Sequence, residues 1–200
     1  MNRSNMPKNH ITASTDWCAL DIRNNHRSEL MNNMPDGIQN GTKDSIKNSA
    51  WQYPKPFTKE IQINDDHVDR LGHTNNVKYL EWLEAIAWEH IESLGYGWDT
   101  MHKSGFALAI TNTVLNYRIA SYVGDSLVLG TWISFNDQRF KCGRAFQLIR
   151  VSDLKTVLTA SMEFACIKLS NGRPSKMPSD MSLALNSGKP GSSSKKQGHR

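Results

Sequence analysis

The chain has 200 residues, 38% of them hydrophobic, a net charge of +5 and a mean hydropathy of -0.56. That length allows one domain with tails, and no run approaches the roughly 18 apolar residues of a membrane helix. Residues 171–200 hold six Lys and Arg against Asp180 alone, so they carry the whole net charge and give the body no nucleic-acid signature.

Residues 1–51 show no sustained periodicity and are expected to be a disordered N-terminal extension. They contain no apolar signal-peptide core, which makes a cytoplasmic protein the expectation. Phe57 to Ile63 alternates as a strand, with Phe57, Lys59, Ile61 and Ile63 on one face. A polar loop, Asn64 to Asn75, follows. Asn76 to Leu94 has helical spacing: Leu80, Leu83, Ala87, Ile91 and Leu94 form an apolar stripe flanked by Tyr79. Thr74 or Asn75 caps this helix, and Gly95 ends it. Four β-type runs come next: Phe106 to Ile119, Ser126 to Phe135, Phe140 to Val151 and Val157 to Leu169. Gly124-Asp125, Asn136-Asp137 and Ser152-Asp153 read as hairpin turns between them. The expected class is α+β, an antiparallel sheet packed on one long helix. Residues 52–185 form the domain, and 186–200, rich in Gly, Ser and Lys, read as a flexible basic tail. The three cysteines, Cys18, Cys142 and Cys166, are far apart and suggest neither a disulfide framework nor a zinc site.

Chemistry-bearing residues concentrate in Asp65-Asp66-His67-Val68-Asp69-Arg70-Leu71-Gly72-His73-Thr74-Asn75-Asn76. The segment ends at a helix N-terminus, where unpaired N–H groups and the helix dipole favour negative charge. Asp69 adds a carboxylate a few residues upstream. A carboxylate beside an oxyanion site suffices to hydrolyse an activated acyl group. The plain alternative is a solvated turn that only caps the helix. Gly-x-Ser-x-Gly, Walker A and Gly-x-Gly-x-x-Gly sequences are absent.

The run Asp69-Arg70-Leu71-Gly72-His73-Thr74-Asn75-Asn76-Val77-Lys78-Tyr79-Leu80-Glu81-Trp82-Leu83-Glu84 resembles the helix start of hotdog-fold acyl-CoA thioesterases of the 4-hydroxybenzoyl-CoA thioesterase-like family. Asn116-Tyr117-Arg118 with Val123-Gly124-Asp125, and Gly172-Arg173-Pro174 with Met177-Pro178, resemble later elements of that family. The likeness covers about residues 53–182. It implies a hotdog fold, a five-stranded antiparallel sheet wrapped around the central helix. It also implies a homodimer or homotetramer with sites at a subunit interface. The substrate would be an acyl-CoA or acyl-carrier-protein thioester, with no cofactor, metal, nucleic acid or membrane partner. By position the resemblance assigns Asp69 as nucleophile or general base and the Asn76 backbone N–H as oxyanion donor. His73 either orients loop or substrate, or serves in capping and packing. Tyr79 and Glu84 are candidates for substrate contact beside structural roles. Arg118, Lys141 and Arg144 are candidates for the CoA phosphates. His67, Asp69 and His73 have only weak metal-ligand spacing. The other readings are a non-catalytic acyl-thioester sensor or scaffold on the same fold and a hotdog dehydratase. The Asp-loop-helix arrangement disfavours the dehydratase.

Overall fold

The computed structural model of the chain describes Ile46 and residues 50–190. Strand β1 runs Phe57–Gln62, helix α1 Asn76–Ser93, helix α2 Trp98–Ser104, β2 Phe106–Tyr117, β3 Ser126–Asn136, β4 Lys141–Arg150, β5 Thr156–Lys168 and helix α3 Ser179–Ser187. The five strands make one antiparallel sheet in the order β1-β3-β4-β5-β2. This is the hotdog arrangement, α+β, with α1 buried against the inner face. Among the described residues no helix is long and apolar enough to cross a membrane.

Turn chemistry explains the two true hairpins. Asp137 Oδ1 accepts from the N–H groups of Arg139, Phe140 and Lys141, and so closes β3–β4. Asp153 accepts from Arg150 and from the Lys155 N–H and closes β4–β5. The Gly124-Asp125 turn is not a hairpin between neighbours. Strand β2 pairs with β5 at the far edge, and the turn instead bonds to the end of β1 through Ile63. Positive φ at Gly124 (87°) lets the chain reverse there.

The buried face of α1 is Tyr79, Leu83, Ile86, Ala87, His90 and Ile91. It is rotated from the expected stripe. Leu80 is exposed, and Tyr79 and His90 point inward. Both polar tips are hydrogen-bonded inside, which permits their burial.

Strand β3 is apolar on both faces, and Val128 and Trp132 on the outer one would make a patch in need of cover. The chain covers it itself. Trp51 and Tyr53 meet the Trp132 ring edge-on at 5.7 and 5.6 Å. The Trp132 indole N–H donates to the Pro54 carbonyl (2.9 Å). Gln147 anchors the backbone on both sides: its Nε2 donates to the Ala50 carbonyl, and its Oε1 accepts from the Gln52 N–H. Ile46, 2% exposed, packs on Val128 and Ile149. Packing therefore includes Ile46, upstream of the expected boundary at Gln52. At the other end α3 reaches Ser187, and the Gly188 carbonyl accepts from the Ile133 N–H (3.2 Å). Packed structure thus extends past Leu185. The remaining expectations for the two termini lie outside the described residues.

Gly130 shows how closely this strap sits. A Cβ there would lie 2.6 Å from Trp51 and 3.0 Å from Pro56. Gly130→Ala is expected to lift Trp51 and cost about 1–3 kcal/mol, the usual penalty of overpacking. Chemical denaturation checks this, and a variant of unchanged stability would mean the strap yields freely.

Candidate active site

A short loop joins β1 to α1 and is built almost wholly from its own polar groups. Asn64 caps a 3₁₀ turn at Asp65–His67, accepting from the Asp66 N–H (3.1 Å). Val68 and Thr74 then pair as an isolated antiparallel bridge. Between them the Asp69 N–H donates to the His73 carbonyl (2.9 Å), and the Gly72 N–H donates to the Asp69 carbonyl (3.0 Å). Gly72 sits at φ +74°, the conformation this tight turn requires. Asp69 Oδ1 accepts from the Leu71 N–H (2.8 Å), so the carboxylate is oriented by its own turn while remaining exposed.

The helix start follows directly. Asn75 is the N-cap, and its Oδ1 accepts from the Val77 N–H (3.0 Å). Asn76 is the first helical residue and is exposed. The opening N–H groups of a helix have no intrahelical acceptor. Val77 gives its N–H to the cap, and Asn76 opens the helix seven residues after Asp69, with its N–H among the donors of the first turn that have no intrahelical acceptor.

Loop and helix are locked to each other by a buried hydroxyl cluster. The Ser121 carbonyl accepts from the Thr74 N–H (2.9 Å) and from the Thr74 hydroxyl (3.2 Å). Ser121 Oγ lies 2.7 Å from Thr74 Oγ1 and 2.9 Å from Tyr79 Oη. One ordering satisfies every proton: Tyr79 donates to Ser121, Ser121 to Thr74, and Thr74 to the Ser121 carbonyl. Such chains strengthen cooperatively in a dry interior. Ser121 is 0% exposed and lies between β2 and β3. It therefore pins the Asp69 turn, through Thr74, to the first turn of α1, through Tyr79. Nothing in its sequence context marks it; only the tertiary fold brings these three hydroxyls together. Ser121→Ala is expected to strand the Tyr79 hydroxyl and destabilise by about 1–3 kcal/mol. Faster hydrogen exchange at the Thr74 and Asp69 amides checks this.

The other sequence candidates divide. His73 packs edge-on against Tyr122 (5.1 Å), which fits its packing role. Tyr79 is buried and touches Tyr117 and Trp82, each at 5.6 Å between ring centroids. Burial, and then Tyr79 itself, push the Tyr117 hydroxyl pKa upward. Arg118 follows Tyr117 and is exposed. Glu84 is exposed, eight residues into α1 from Asn76. Lys141 is exposed at the start of β4. Arg144 is the clear correction: it is 3% exposed, faces α1 and bonds to His90 Nδ1 (2.9 Å). A side chain held there does not meet a phosphate at a groove mouth. Among the described residues no three His, Cys, Asp or Glu side chains converge as a metal site.

Residues 62–185 match the model of the Thioesterase-like superfamily. The chain is 30% identical over 112 residues to the long-chain acyl-CoA thioesterase FadM of Escherichia coli (strain K12), covering 55% of this chain and 82% of that protein. It is 31% identical over 75 residues to the chloroplastic acyl-acyl carrier protein thioesterase ATL3 of Arabidopsis thaliana, covering 38% of this chain and 40% of that one. Its fold is similar to that of Slr0204, a 1,4-dihydroxy-2-naphthoyl-CoA thioesterase from Synechocystis. There the TM-score is 0.59 at 16% identity, over 66% of this chain and 96% of that one.

Proposed function

Because this chain belongs to the thioesterase-like superfamily, we propose that it hydrolyses an acyl thioester of CoA or of an acyl carrier protein to the free acid and thiol, with Asp69 and the Asn76 N–H as its working groups. The observation that carries this reading is the rigid coupling of an exposed carboxylate to an open helix N-terminus through Thr74, Ser121 and Tyr79. The thioester carbonyl oxygen accepts from the Asn76 N–H, which stabilises negative charge as the carbon becomes tetrahedral. Asp69 either attacks that carbon or removes a proton from an attacking water. The C–S bond then breaks and the thiolate takes a proton; where Asp69 itself attacked, a water hydrolyses the resulting mixed anhydride, releasing the acid and restoring the carboxylate. Both routes need ionised Asp69. A sensor or scaffold would have no use for this pairing.

The site is open to solvent in the single chain. Strand β2 is an unpaired edge of twelve residues, with Ile110, Val114 and Tyr117 exposed along it. Edges of this length invite pairing. In the proposed homodimer two copies pair through β2 about a two-fold axis, covering Tyr117 and bringing Arg118 beside the partner for the CoA phosphates. This edge is what a second copy would cover, since Ile46, Trp51 and Tyr53 already cover the outer face of β3. The test is thiol release from a panel of acyl-CoA and acyl-carrier-protein substrates. Turnover of none of them would overturn the hydrolase reading.

A further inference from the structure

Arg144 is an anomaly of the core. Its guanidinium is buried on the inner face of β4, and among the described residues it bonds to the His90 ring alone. Among the described residues no carboxylate pairs with it. A buried charge without a counter-charge is costly, so it calls for an explanation. Arginine only donates, so His90 Nδ1 accepts, and the ring proton must sit on Nε2. Burial, followed by the charge of Arg144, lowers the His90 pKa to about 4, which keeps the ring neutral in this tautomer. The pair thus acts as a relay: a fixed positive charge behind an imidazole whose remaining N–H is polarised outward.

That ring lines a crevice of about 250 Å³ between the end of α1 and the start of β1. Phe57 stacks on His90 at 5.0 Å, and Pro56 and Leu94 complete an apolar wall. Gly188 closes the far side; a Cβ there would lie 3.3 Å from His90 Cε1 and 2.8 Å from Leu94. Lys55 stands exposed at the mouth. Arg144 is the register partner of Ile133, whose N–H bonds the Gly188 carbonyl, so the guanidinium lies directly behind this wall.

We infer that this crevice binds a small organic carboxylate, which accepts from the His90 Nε2–H against the Arg144 charge while its hydrocarbon part lies on Phe57 and Leu94. Lys55 and Lys189 both line the crevice, and a neutral N–H beside an apolar wall suits an amphipathic carboxylate, whose tail the wall covers, better than a phosphate, which is hydrated on every side. The apolar wall selects an acid with an alkyl tail. This site is separate from Asp69, since fourteen residues of α1, about 21 Å, divide Asn76 from His90. It does not depend on the hydrolase reading, but it would let an acid of the product class act away from the reacting centre.

The test uses the full chain with histidines labelled for NMR and follows the His90 Cε1–H resonance during titration with hexanoate. Saturation below about 50 mM is expected, with hexanamide at least about tenfold weaker, the discrimination of one charge-assisted bond. Arg144→Met is expected to weaken hexanoate by about tenfold or more, and Lys55→Ala, an exposed change that leaves the core untouched, by a few-fold. Circular dichroism confirms that each variant is folded. Three results overturn the proposal: a linear response without saturation, equal affinity for hexanoate and hexanamide, or unchanged binding in both variants. Inorganic phosphate binding as tightly as hexanoate would overturn the carboxylate assignment. Because the readout is a resonance, an inactive enzyme would leave this result intact.

Discussion

Asp69→Asn is expected to lower kcat by at least about 100-fold, or about 2.7 kcal/mol of barrier. The substitution keeps the shape and still offers an oxygen to the Leu71 N–H, so the turn and its bridge to Thr74 survive. What it removes is the ability to ionise, attack or accept a proton. Wild-type and variant proteins should therefore share a melting temperature and differ in thiol release. A variant retaining near-normal turnover would take Asp69 out of the mechanism and leave the helix N-terminus as a binding feature only.

Removing the strap should have the second large effect. A chain beginning at Gln52 loses Ile46, Ala50 and Trp51, and with them the cluster on Val128 and Ile149 and the edge-on contact with Trp132. It also loses the carbonyl that Gln147 Nε2 bonds on the strap. Deleting one large buried aromatic alone costs about 3–5 kcal/mol, and each kcal/mol shifts Tm by about 2–4 °C at this size. A fall in Tm of about 6–20 °C is expected relative to a chain that begins at Gly41. Equal melting temperatures would show that residues 46–51 add nothing to the fold.

Much of the fold was legible because its signals are local. Alternation marked β1, runs of β-type residues between turn signals marked the other four strands, and a Pro-free apolar stripe marked α1, because each signal is set by residues close in sequence. The loop was legible for the same reason: Asp69, Gly72 and Asn75 each act on backbone groups within a few residues. What escaped the sequence acts at long range. The hydroxyl of Ser121 matters only because Thr74, 47 positions away, lies 2.7 Å from it. Arg144 reads as a candidate for the CoA phosphates or an ordinary exposed strand residue, although Cys142, Phe146 and Leu148 share its face, until the sheet turns it toward His90, 54 positions upstream. Leu80 and Tyr79 are neighbours on a helix surface, and which of them faces inward was decided by an acceptor on another segment. The short helices α2 and α3 have too few turns for a period to stand out. Trp51 and Ile46 sit among polar residues, where two apolar side chains carry no pattern of their own.

The strand order has a consequence for how the chain is made. The three central strands, β3, β4 and β5, are joined by tight turns and can assemble as soon as they exist. Strands β1 and β2, the two edges, precede them in the chain and have nothing to pair with when they emerge. Helix α1 leaves the ribosome with its apolar face uncovered and must wait for Lys168, 75 residues after Ser93, before the whole inner surface is present. At ordinary synthesis speeds that interval is roughly 4–15 s. The first half of this protein therefore spends its early life as an unpartnered amphipathic helix between two lone strands, the stage at which a nascent chain is most in need of a chaperone.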